Sequence, residues 1–241
     1  MKFPNNIQTR LYPNNMQKIL TMILLLCCNY IVVAQSLSGD KKIVGYVNGE
    51  PVTKDEFTFF AQRNRHKVIS KFRNEYKLNY HTGFWQDKSK GKTPGELLKE
   101  MTIESIVSSK VQYQLAKQYG IINDISFQSI RQYMESENKQ RREALQKNIV
   151  IYGPEQYSLE SYYEYLTSNM IIKLKDYMLK NGLISVDLSK GVEHKNNSTM
   201  HDDDQYYSQV HVANTQINHQ YDEIVKHMIE KAHVKIDKYV Y

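Results

Sequence analysis

Apolar residues recur at three- and four-residue intervals through most of this chain, and that spacing predicts helices. Phe57, Phe60, Val68, Ile69 and Phe72 mark a first helix running to about Tyr76, with Arg63, Arg65, Lys67 and Lys71 on its wetter side. A second opens at Thr93-Pro94-Gly95-Glu96, where a cap, a first-turn proline and a capping-box glutamate coincide, and its stripe runs from Leu97 through Ile106 and Val111 to Leu115. Gly120 stands where a left-handed residue ends a helix. A third helix from Ser126 carries Ile130, Tyr133, Met134 and Leu145 against a polar run, and Tyr152-Gly153-Pro154 breaks it. The fourth, capped by Ser158, has the most regular stripe: Leu159, Tyr162, Tyr163, Leu166, Met170, Leu174, Tyr177 and Met178, with Gly182 at its end. The period is absent from Leu183 to Thr215, which reads as a linker, and a fifth helix resumes with Tyr221, Ile224, Val225, Met228 and Ile229.

Two short stretches break from the helical rule. Ile43-Val44-Gly45-Tyr46-Val47 is β-branched and aromatic, Asn48-Gly49 is a turn dipeptide, and Thr53 with Glu56 has capping-box spacing. A lone strand leaves its ladder groups unpaired, so Ile43–Val47 needs a partner. The alternating segment Val234–Val240 at the far end of the chain is the best candidate. The expected fold is therefore mainly α, with a small two-stranded β element joining the N- and C-terminal segments.

Composition changes this picture little, and charge removes one class of partner. The chain has 241 residues, 41% hydrophobic and 24% charged, with a net charge of +6 and a mean hydropathy of -0.61. Lys2, Arg10 and Lys18 precede Gln35 with no acid among them; 32 basic residues less these three, against 26 acids, leave +3 on the remainder. That excess is too small and too evenly mixed to point to nucleic acid. Residues 1–34 read as an export signal: basic Lys18 precedes an apolar run from Ile19 to Val33, and Val32-Val33-Ala34 precedes a cut ahead of Gln35. The alternative is a retained membrane anchor. Cys27 and Cys28 both fall in this run without the small preceding residue that lipidation prefers, so the cut chain holds no thiol and relies on its apolar core.

The segment "IVGYVNGEPVTKDEF", the stretch "SENKQRREALQKNIVIYGPEQYSLESYYEYLTSNMIIKLKDYM" and the closing "AHVKIDKYVY" together resemble the chaperone part of SurA/PrsA-type exported foldases. The resemblance implies a helical chaperone module, SurA N-terminal-like, in which residues 35–182 are completed by a helix and strand at 216–241. Relatives carry a parvulin peptidyl-prolyl isomerase domain where this chain has only 183–215. That segment is too short for such a domain, so no catalytic residue is carried over.

Nothing else supplies the missing chemistry. The chain has no glycine-rich phosphate loop, HExxH or nucleophile elbow, so no cofactor, metal or catalytic residue is assigned. His201-Asp202-Asp203-Asp204 has metal-ligand types in a sequence that imposes no geometry on them. The 19 tyrosines against one tryptophan are more informative, because tyrosine offers apolar area with a polar rim, which suits contact with varied polypeptides. Tyr133, Tyr163 and Tyr177 on helices, with Phe84 and Trp85 in a polar loop, are the candidate polypeptide-binding residues; the competing reading places them in the core. The expected activity is capture of non-native polypeptides in an apolar groove, with a peptidyl-prolyl isomerase or a membrane-attached assembly factor as alternatives. Such a groove also favours a homodimer.

Overall fold

The computed structural model describes residues 42–191 and 202–237. Residues 1–34, where an export signal is expected, with Cys27 and Cys28 among them, and His201 lie outside the described residues. Strand β1 (Ile43–Val47) is central in a three-stranded sheet of order β2-β1-β3, between β2 (Glu50–Thr53) and β3 (Val234–Ile236). The expected pairing between the two ends of the chain is present and antiparallel: Gly45 faces Ile236, Tyr46 faces Lys235 and Val47 faces Val234. The second partner, β2, was not expected. Asn48 and Gly49 both take positive φ, 50° and 84°, which folds the chain into a tight hairpin and turns Glu50-Pro51-Val52-Thr53 back along β1. Val44, Val47 and Val52 face the core, leaving Ile43 and Tyr46 on the other side.

Five α-helices occur among the described residues: α1 (Lys54–Tyr76), α2 (Pro94–Gln118), α3 (Phe127–Gln146), α4 (Leu159–Lys180) and α5 (Asp202–Glu230). Four begin on the expected caps, where the Thr53, Thr93, Ser126 and Ser158 hydroxyls accept backbone N–H groups. The full reciprocal capping box forms at Thr93 and Glu96. It does not form at Thr53. The Glu56 side chain meets Lys110 instead, whose Nζ stands 3.1 Å from its Oε2 with both side chains almost wholly enclosed.

Burial pushes the Glu56 carboxyl above the ordinary glutamate value of 4.5, with Lys110 opposing the shift. A carboxyl with a raised native pKa holds its proton more tightly folded than unfolded. Its contribution to stability is therefore complete below the unfolded value and is lost as pH rises through the native one. The stability of the protein minus that of Glu56→Gln should fall as pH rises from about 4.5, measured by urea unfolding at a series of pH values. A difference that rises over that window would reverse the sign assigned here.

Val44, Val47, Phe57, Phe60, Ile106 and Val111 belong to the main core, and Val68, Phe72, Phe84 and Leu98 form a smaller cluster between α1 and α2. Phe59, off the expected stripe, is also buried and meets the rings of Phe127 and Tyr163 at 5.1 Å each. So α1 is covered on two sides.

The expected linker is shorter than its missing period suggested. Helix α5 starts at Asp202, and Leu183–Ser189 is strapped to it by two glutamines. Gln220 accepts from Ser185 N at 3.1 Å and donates to Ser185 O at 2.6 Å. Gln216 does the same for Asp187 at 2.7 and 2.8 Å. Each amide stands in for a neighbouring strand, and Ile184 is buried beside them.

Candidate functional site

The sequence-predicted residues do not share one surface. Phe84 is fully buried in a short 3-10 turn (Phe84–Gln86), packed edge-on against Phe72 and Trp85. Trp85 is half-buried with the Arg65 guanidinium 4.7 Å above its ring, so this pair fastens the loop to α1 and offers no binding tip. Tyr163 is buried and donates its hydroxyl to Ser109 Oγ at 2.8 Å. Tyr177 is half-buried and stacked on Tyr119 at 4.7 Å. Tyr133 alone among the five is substantially exposed, at 48%.

Tyr133 stands at the mouth of a pocket of ≈ 240 Å³ between α2, α3 and α4, whose apolar walls come from Tyr113, Ile122, Ile130, Leu166 and Met170, with polar Asn123, Asp124 and Ser129 also lining it. Ile130 and Tyr133 are three apart on α3, and Leu166 and Met170 four apart on α4, so each helix turns two neighbouring positions toward the same space. The connector after α2 brings Ile122. The Tyr113 hydroxyl is 3.0 Å from Thr167 Oγ1 and so has a hydrogen-bond partner.

Behind Tyr113 lies Tyr163, its ring stacked at 6.4 Å and 11°. Tyr163 lines a second, larger cleft of ≈ 590 Å³ between α1, α2 and α4. Its character is polar: Asn64, Ser105, Ser108, Ser109 and Gln112 line it, and Arg63 at its edge pairs with Glu164 at 2.9 Å and Glu160 at 3.4 Å. The two stacked tyrosines are thus a partition, apolar on one side and hydroxyl-rich on the other. Burial raises both phenols above the ordinary tyrosine value of 10.0, which keeps them neutral hydrogen-bonding groups. Tyr221 donates to Gln112 Oε1 at 2.9 Å and Lys175 lies 4.7 Å above its ring.

Leu166 and Met170 read in the sequence as ordinary core stripe, and Tyr113 as one of several helical tyrosines suited to polypeptide contact. By sequence, Arg141 belongs either to a charge-mixed solvated face or to a polar network holding the third helix to its neighbours. The structure takes the second: Arg141 is largely enclosed, donating to Tyr152 O and Pro154 O and lying 4.7 Å above the Tyr157 ring. The one available signal was its place shortly before the Tyr152-Gly153-Pro154 break.

Fold and site together define a mainly helical protein with a small antiparallel sheet that joins distant parts of the chain, and an apolar pocket opening beside Tyr133. No family model, curated protein or solved structure matches the chain. No helix among the described residues is long and apolar enough to cross a membrane.

Proposed function

We propose that this protein is an exported, chaperone-like module of the SurA/PrsA type that binds extended or non-native polypeptides without covalent chemistry. The pocket beside Tyr133 carries the reading. Its volume suits one large apolar side chain, its walls are mainly apolar with Asn123, Asp124 and Ser129 among them, and the half-exposed tyrosine at its mouth offers a ring to the client and a hydroxyl to water. Such a site takes an apolar side chain against its larger apolar wall, while Asn123, Asp124 and Ser129 at its edge can meet the polar backbone of a client. The nearby Tyr157, Tyr162 and Tyr165 rings, with centroids 5.5 to 6.2 Å apart, extend an aromatic surface along the start of α4.

A chain beginning at Gln35 keeps the whole compact unit from Lys42 onward. It should suppress aggregation of a chemically unfolded client and bind labelled extended peptides at micromolar levels. Tyr133→Ser should weaken peptide binding by about tenfold, on the order of 1.4 kcal/mol, while Tyr133→Phe retains most of it. Fluorescence anisotropy reads both. If Tyr133→Ser binds as tightly as the parent, or if the parent neither binds nor protects clients, the reading is abandoned. Acceleration in a protease-coupled proline-peptide assay would bring back the isomerase alternative.

A further inference from the structure

The sheet ends at β3 in an edge whose backbone is unpaired. Bonds from Asn48 N to His233 O and from Asp237 N to Val44 O, both 2.8 Å, set the phase of its pairing with β1. His233, Lys235 and Asp237 therefore turn their backbone groups toward β1, and Val234 and Ile236 turn theirs away. Those outward N–H and C=O groups have no hydrogen-bond partner among the described residues. Their spacing fits the backbone of another extended strand. The opposite edge is blunted. Val47 and Glu50 close the two-residue hairpin, so the next residue of β2, Pro51, faces outward and has no N–H to offer there.

We propose that a second copy of this chain covers that edge, β3 pairing antiparallel with β3 about a two-fold axis at Ile236, so that the sheets of both copies become one. A two-fold contact needs a surface that complements itself, and the charges of β3 supply it in one register. Lys235 and Asp237 are both exposed and two apart, so they share one face of the strand. With Ile236 opposite its own copy, each Lys235 stands against the partner's Asp237 in the closer, non-hydrogen-bonded kind of pair. An axis at Lys235 would set lysine against lysine, and an axis at Val234 would set Lys235 against His233; neither gains an ion pair. Within one copy, Lys235 and Asp237 have no ion-pair partner among the described residues. Lys99 donates to the Asp237 carbonyl at 3.3 Å, and Glu230 and Lys231 before β3 carry opposite charges. On the other face, the partner's Ile236 extends an apolar row that now stops at half-buried Ile236 and at Val234, 40% exposed beside fully buried Val47. A client strand would match the backbone groups but carries this charge order only by accident, whereas a second copy always carries it. The contact is small, so the dimer is weak and reversible. It uses nothing of the pocket beside Tyr133 and stands apart from the proposed function.

Sedimentation velocity of the full chain should show reversible dimerisation at about 100 micromolar. Lys235→Glu and Asp237→Lys each turn the two cross-copy pairs from attraction to repulsion, so each should weaken self-association by about tenfold or more. Mixing the two variants restores opposite charges at both positions, and the mixture should dimerise as the parent does. Association through residues 1–34 would be alike in all of these and would not follow the charges. Both side chains are exposed, so thermal melting should stay at the parent value. Hydrogen exchange locates the contact: the outward Ile236 amide should gain protection as the parent is concentrated and should not in either single variant, while the inward Lys235 amide stays protected throughout. A parent that remains monomeric overturns the proposal. So do single variants that associate like the parent, a mixture that fails to recover, or an Ile236 amide indifferent to concentration. Protection of that amide by an added extended peptide in a monomeric parent would assign the edge to a client strand and would equally overturn it.

Discussion

Lys110→Met is expected to cost about 3–5 kcal/mol of stability, the largest single-residue effect outside the apolar core. The substitution leaves the Glu56 carboxylate almost wholly enclosed without its counter-charge. The penalty is the solvation that Glu56 lost on folding and can no longer recover from Lys110. At acid pH Glu56 takes up a proton, so the cost of Lys110→Met should shrink there. Replacing both partners, Glu56→Leu with Lys110→Met, removes the buried charge altogether and should return stability to within about 2 kcal/mol of the parent. Urea titrations of the parent, single and double variants form a complete cycle. If Lys110→Met unfolds within 1 kcal/mol of the parent at neutral pH, roughly the size of a surface pair, the interaction is no more than such a pair.

Gly45→Val is expected to separate the two ends of the chain. A Cβ at Gly45 would meet Lys235 O at 2.3 Å, Ile236 Cδ1 at 2.5 Å and Ile236 Cα at 2.8 Å. Two of those three atoms are backbone, so no rotamer change makes room. The cheapest response is for β3 to move away from β1, at about 2–3 kcal/mol or more. Because β3 lies at the sheet edge and half-exposed, most of the helical core should survive its displacement. Hydrogen exchange gives a local readout. Asn48 N donates to His233 O and Asp237 N to Val44 O, both at 2.8 Å, and these amides should lose protection while those within α2 and α4 keep it. Unchanged exchange at Asn48 and Asp237 would mean that the sheet tolerates the side chain and that the close approach does not hold the ends together.

The helices and their starts were legible because their signals are local. Thr53, Thr93, Ser126 and Ser158 each cap a helix within three residues, and a stripe at three- and four-residue spacing needs no knowledge of what it packs against. The pairing of Ile43–Val47 with the C-terminal strand was also legible, since an alternating segment and a strand without a partner are complementary needs. The candidate site was less so. Five aromatic residues were singled out, and the fold puts Phe84 and Tyr163 in the core, Trp85 half-buried beneath Arg65, Tyr177 half-buried and stacked on Tyr119, and Tyr133 at a pocket mouth. A tyrosine on a helical stripe reads the same in all three situations.

What the sequence by itself determined is the mainly helical class, the caps and the closure of the chain through a β pairing of its ends. These follow from hydrogen-bond satisfaction within a few residues and from periodicity along one element. Only the tertiary structure decided the rest. Glu56 has capping-box spacing but turns to Lys110, because a second helix offers a buried counter-charge that a local rule cannot see. Leu183–Ser189 lacks a hydrophobic period yet is ordered by Gln216 and Gln220, because side-chain amides bonding to backbone leave no trace in hydropathy. The contrast between the apolar pocket and the polar cleft arises where Tyr113 and Tyr163 stack across two helices. Which side of each ring meets water is set by how those helices cross, a relation between elements distant in the chain.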